Sequence, residues 1–131
     1  MSLFERIIEN VKKTVAPTPK KEIVPMRCHA EYRIAGTTFK NEDGTDRQEI
    51  LKNMKECEHV KVIKYIYENQ IAFKIVNCRM EQIGNIKKED VPYVDNIYQK
   101  MVDAQIFDLH TFYGDEGKKI YIAKVSIKYM K

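Results

Sequence analysis

Between Tyr65 and Lys88 the chain reads YIYENQIAFKIV, then a turn, then MEQIGNIKK. The stretch supplies an aromatic ring at Tyr67, a carboxylate at Glu68, an amide at Asn85 and ammonium groups at Lys87 and Lys88. Two short strands would deliver these groups to one end of a small sheet. Rings stack on bases, and amides and ammonium groups hold phosphate oxygens, so the inventory suits the end of a nucleic acid better than a reaction.

Catalysis has weaker support. No Ser, His, Cys or acid cluster stands in a triad or nucleophile-elbow context, the five glycines build no phosphate loop, and H-E-x-x-H is absent. Cys57 and His59, with Cys28, His29 and Cys78, carry metal-binding groups, yet C-x-H plus one Cys-His pair matches no established zinc spacing. The chain is therefore read as non-enzymatic, with no metal and no cofactor.

A length of 131 residues, 44% of them hydrophobic, suits one ordinary domain with a single core. Lys and Arg number 23 against 19 Asp and Glu, and the formal charge of +4 permits phosphate binding without demanding it. Three scattered cysteines argue against a disulfide framework and for the reducing cytoplasm. No run approaches the roughly 20 apolar residues that cross a bilayer, and the start MSLFERIIEN is too acidic for a secretory signal. A soluble protein with no membrane partner is expected.

The elements that must position the polar groups follow from periodicity. Ser2 and Glu5 have capping-box spacing, and Phe4, Ile7, Ile8 and Val11 share a helical face, predicting an amphipathic helix over 3–14 within an N-terminal unit 1–15. APTPKKEIVP at 16–25 holds three of the four prolines and reads as a linker. The domain then runs from 26 to 131. Ala30, Tyr32 and Ile34 alternate in a strand at 29–37; Asp43-Gly44 marks a turn; Asp46 caps a short helix that buries Ile50, Leu51 and Met54. Runs at 59–66, 70–77 and 81–86 predict an antiparallel meander, with Gly84 a close backbone approach or a bulge. Val94, Ile97, Tyr98 and Met101 predict the longest helix of the domain over 88–104, and 105–114 with 119–130 predict a hairpin ending in a long strand. Six strands with two interspersed helices describe a mainly β (α+β) domain, read as a small, partly closed β-barrel.

Three segments, IAGTTF at 34–39, YENQIAF at 67–73 and QIGNIKKED at 82–90, occur in the order of the motifs of the HIRAN domain, and residues 26–130 resemble that family. The resemblance implies an OB-like barrel and binding of single-stranded DNA at its 3′ end, in repair or replication. The positions after the first motif's glycine, which in the family meet the terminal nucleotide, are Thr38 and Phe39, followed by Lys40. Thr38 replaces a basic side chain, Phe39 keeps the ring without a phenol hydroxyl, and Lys40 offers a displaced cation.

The family's tyrosine and aspartate match Tyr67 and Glu68, and its preceding Asn-Pro appears as Tyr65-Ile66. A carboxylate at Glu68 would accept a bond from a free 3′-hydroxyl and repel a phosphate. Asn85 and Lys88 match groove positions of the family, with Lys87 beside them. Read without the family, Tyr65 and Tyr67 are core filling and Lys87 to Asp90 a solvated helix start. An alternative of another class is a protein-interaction adaptor that has lost the DNA pocket and docks on another protein, or on a second copy, through the N-terminal helix. A hydrolase is suggested only by the family's company with nucleases and ATPases.

Overall fold

Residues 27–131 are the part of the chain that the computed structural model describes. The helix read over 3–14 and the linker over 16–25 lie outside the described residues. From there the chain forms β1 (Arg27–Ala35), α1 (Arg47–Lys52), β2 (Lys61–Tyr67), β3 (Gln70–Val76), β4 (Gln82–Ile86), α2 (Val91–Ile97), β5 (Met101–Tyr113) and β6 (Lys119–Met130). The six strands make one antiparallel sheet in the order β2-β3-β4-β1-β6-β5.

The expected meander is β2-β3-β4, and the closing hairpin is β5-β6. The sheet is not closed. Its outer strands meet only at one corner, where the chain just before β2 leans on β5: Cys57 N–H donates to Ile106 O (2.9 Å), Ile106 N–H to Glu58 O (2.8 Å) and Val60 N–H to Ala104 O (3.0 Å).

Apolar alternation fills one side. On β6, Ala123, Val125 and Ile127 are buried with Phe73 and Ile75 of β3, Ile83 and Ile86 of β4, and Ile106 of β5. Apart from the small Ala123, each of these buried side chains stabilises by about 1.5–3 kcal/mol, which is what orders the long ladders. Ile50, Leu51 and Met54 are buried as the helical stripe requires, and the Asp46 carboxylate accepts from Gln48 N–H (2.9 Å) to cap α1.

The helix read over 88–104 is corrected. Lys88–Asp90 is a 3₁₀ turn, α2 spans only Val91–Ile97, Tyr98–Lys100 is a second 3₁₀ turn, and Met101 already belongs to β5. Val94, Ile97 and Tyr98 do sit on one face, with the Tyr98 ring 5.2 Å from that of Phe73. Beyond them, pairing of Met101 with Tyr129 and Ala104 with Ile127 outweighs helical propensity, because each residue added to the ladder gains a partner on β6.

Gly84 is a close approach, as expected, and it sits at a bulge. A Cβ there would lie 2.4 Å from Ile34 Cγ2 and 2.6 Å from the Ala35 carbonyl oxygen, and the β3–β4 register shifts between Ile75 and Val76. Among the described residues no helix is long and apolar enough to cross a membrane.

Candidate nucleic-acid interface

Tyr65 and Tyr67 stand two apart on β2 and share a sheet face; Lys74 and its cross-strand partner Asn85 continue that face over β3 and β4. Two loops wall it in. One is 36–46, which leaves β1 at Gly36 (φ +70°) and reverses at Gly44 (φ +89°); the other is the turn 77–81. Between them lies a hollow of about 720 Å³ lined by Phe39, Lys40, Tyr65, Tyr67, Arg47, Lys74, Arg79 and Asn85, among others.

Each wall is fixed by polar bonds rather than by core contacts. Arg47 Nε donates to Asn41 Oδ1 (2.8 Å), and its Nη1 donates to Gly36 O (2.9 Å) and Asn85 Oδ1 (3.4 Å). Asn41 Nδ2 in turn donates to Gln82 O (3.0 Å), and Asn85 Nδ2 to the Tyr65 hydroxyl (2.9 Å). Gln48 Nε2 donates to Thr37 O and Tyr121 O, both at 2.9 Å, tying the same loop to β6. In the other wall Asn77, buried, receives Arg79 N–H and Glu81 N–H and donates to Glu81 Oε1 (2.8 Å).

Four cations and the carboxylates of Glu42, Asp43 and Glu81 line the hollow. Asp43 is held by Thr45, and those bonds keep its pKa below the usual carboxylate value. Bonds from Asn77 and Arg79 do the same for Glu81, which pairs with Arg79 at 3.1 Å. Burial pushes the Arg47 pKa down from the ordinary arginine value. Lys74 lies over the Tyr65 ring, 5.8 Å from its centroid.

The hollow brings together Phe39, Lys40, Tyr67 and Asn85, four of the residues expected from the sequence. Phe39 is 65% exposed and Tyr67 60%, so both rings are open to a ligand. Thr38 faces a neighbouring hollow of about 560 Å³, which Lys40 also lines, with Lys52, Lys118 and Lys119. Glu68 lies on the crest of the two-residue β2–β3 turn at φ +50° and does not line the hollow. Lys87 and Lys88 open the 3₁₀ turn after β4, and they do not line it either.

Sequence reasoning missed Arg47, Lys74 and Arg79, and it left Tyr65 as core filling. Arg47 had a signal: it stands three, four and seven residues before Ile50, Leu51 and Met54, on the buried stripe of α1. Lys74 had none, because its place depends on the register with Asn85. Another hollow, about 580 Å³ between β2 and β5, is lined mostly by apolar groups such as Val60, Val62, Tyr98 and Met101, and contains none of the expected residues. Cys57 and Cys78 are exposed and Cys28 half-buried, all as free thiols, and no group of three metal-binding side chains occurs among the described residues. Comparison with family models, with curated proteins and with solved structures finds no match to this chain.

Proposed function

We propose that this chain is a non-enzymatic nucleic-acid-binding module that takes single-stranded DNA or a DNA 3′ end during repair or replication. The observation that carries the reading is that two exposed rings, Phe39 and Tyr67, line one hollow together with Lys40, Asn85, Lys74 and Arg47. Stacking on rings beside a cationic groove is how single strands are held without reading their sequence. The finer fold reading, an OB-like and incompletely closed barrel of the HIRAN kind, goes with it, supported by the corner at which residues 57–60 reach β5. Three free thiols suit a reducing, cytoplasmic setting.

The test is fluorescence anisotropy of labelled oligonucleotides: single strands with 3′-hydroxyl or 3′-phosphate ends, and a duplex. Binding of single strands that weakens steadily with salt is expected. Absence of salt-sensitive binding by the folded protein at low ionic strength defeats the proposal. Equal affinity for the two 3′ ends takes Glu68 out of the reading and leaves strand binding in place.

One observation favours the adaptor reading. Ile66, where the family pattern has proline, is 64% exposed, and its cross-strand partner Ile71 is exposed beside it. Such a patch over the β2–β3 hairpin at the edge of the sheet suits a protein partner, and loss of complex formation on replacing both with threonine would support that role.

A further inference from the structure

We infer that the guanidinium of Arg47 is the seat of a phosphate group, so that a strand enters the hollow with a phosphate at its floor and bases on the rings at its rim. This rests on the nucleic-acid reading and says which atoms take the charge. Arg47 is only 8% exposed, and its hydrogen bonds go to three neutral oxygens, on Gly36, Asn41 and Asn85. Among the described residues no carboxylate lies within ion-pair distance of it, and its Nη2 has no hydrogen-bond partner. A buried cation with neutral partners costs stability unless an anion completes the site.

The surroundings select the anion. Lys40 and Lys74 line the same hollow, and neither has an acidic partner among the described residues. Two of the three carboxylates in the lining are engaged within their own turns, Asp43 with Thr45 and Glu81 with Asn77 and Arg79. A planar fork flanked by two ammonium groups matches the several oxygens of a phosphate, and the rings of Phe39 and Tyr67 suit the base that a nucleotide carries with it.

The test reads Arg47 directly. The Nε–H resonance of Arg47 is followed in the wild-type chain during titration with inorganic phosphate, against chloride at equal ionic strength. A saturating shift specific to phosphate is expected; a resonance that chloride moves equally, or that phosphate leaves in place, overturns the seat. The second arm is Asn85→Asp, which puts a carboxylate at the atom now 3.4 Å from Nη1 and gives Arg47 an internal counter-charge. Gln82 keeps its acceptor there, and the Tyr65 hydroxyl can turn to donate.

Oligonucleotide affinity of the folded Asn85→Asp chain is expected to drop at least about tenfold, the loss of one charge-assisted bond. Unchanged affinity in that chain overturns the seat, and if the variant does not fold the wild-type titration decides alone. Strands with a terminal phosphate and with hydroxyl ends tell a monoester occupant from a bridging diester, and either leaves the seat standing. Phosphate that moves Arg47 while no oligonucleotide binds keeps the seat and removes the polynucleotide. An oligonucleotide that binds without moving Arg47 does the reverse.

Discussion

Gly84→Ala adds one methyl group at the tightest crossing of the sheet. Its Cβ would stand 2.4 Å from Ile34 Cγ2 and 2.6 Å from the Ala35 carbonyl oxygen. Ile34 is almost fully buried and has little room to turn, and the carbonyl belongs to the backbone of β1, so relief requires β1 and β4 to separate. Those strands share only the pairs Ile34 with Ile86 and Ala35 with Asn85, so little resists the separation and little is left after it. Overpacking costs about 1–3 kcal/mol, and a strained ladder bond adds about 1 kcal/mol. Against this, alanine reduces the freedom of the unfolded chain by about 0.4–1 kcal/mol. The net expectation is a loss of about 2 kcal/mol, or about 8 °C in Tm for a domain of this size. Urea titration followed by circular dichroism measures it, with the slope m unchanged. A variant as stable as the wild type, or more stable, would show that only the entropic gain operates and that the close approach does not exist.

The other expectations concern single side chains. Phe39→Ala and Tyr67→Ala should each weaken single-strand binding by about fivefold to a hundredfold while changing stability by less than about 0.5 kcal/mol, because both rings are exposed; Tyr113→Ala, exposed but outside the hollow, should do neither in anisotropy or thermal melts. Glu68→Asn should raise stability by about 0.5–1 kcal/mol in urea titrations, since Glu68 and Asn69 take φ +50° and +65° in the β2–β3 turn and asparagine tolerates that region better. Glu81→Gln should flatten the acid limb of the stability curve. Hydrogen bonds from Asn77 and Arg79 hold the Glu81 carboxyl below the usual carboxylate range in the folded chain, so its contribution is complete above the unfolded value and fades as pH falls through the folded one; parallel wild-type and variant curves from pH 7 to pH 3 would contradict this.

Much of the framework was legible because its signals are local. The alternation at 121–129 became β6, the Asp43-Gly44 pair became a turn, and the cap at Asp46 with the stripe at 50, 51 and 54 became α1. The end of α2 was illegible for a definite reason: Met101 and Ala104 continue the helical spacing of Val94 and Ile97, yet Ala104 and Ile106 also alternate as a strand does. Only the β6 ladder decides between them, and that ladder is not local. The site divides in the same way. Phe39, Lys40, Tyr67 and Asn85 were expected and share the hollow, whereas Thr38, Glu68, Lys87 and Lys88 were expected as well and do not line it: Thr38 faces the neighbouring hollow, and a turn and a 3₁₀ start carry the other three off.

The loop bearing Phe39 has almost no core of its own, since Thr37 alone among residues 36–46 is buried. Arg47, through Gly36 O and Asn41, and Gln48, through Thr37 O, hold it instead. One guanidinium therefore does two jobs, bracing the loop that presents a ring and offering charge to the hollow that ring overlooks. A ligand phosphate on Arg47 would relieve the desolvated cation and, through the same bonds, tighten the loop that places Phe39. On the proposed reading, stacking at Phe39 and charge at Arg47 would be coupled through shared bonds, so the losses of oligonucleotide affinity on removing each are expected not to add. On that same reading, the empty pocket carries the cost of an unpaired buried cation, and a phosphate seated on Arg47 would recover it, so phosphate should raise the stability of the folded chain where a structural ion pair would leave it unchanged.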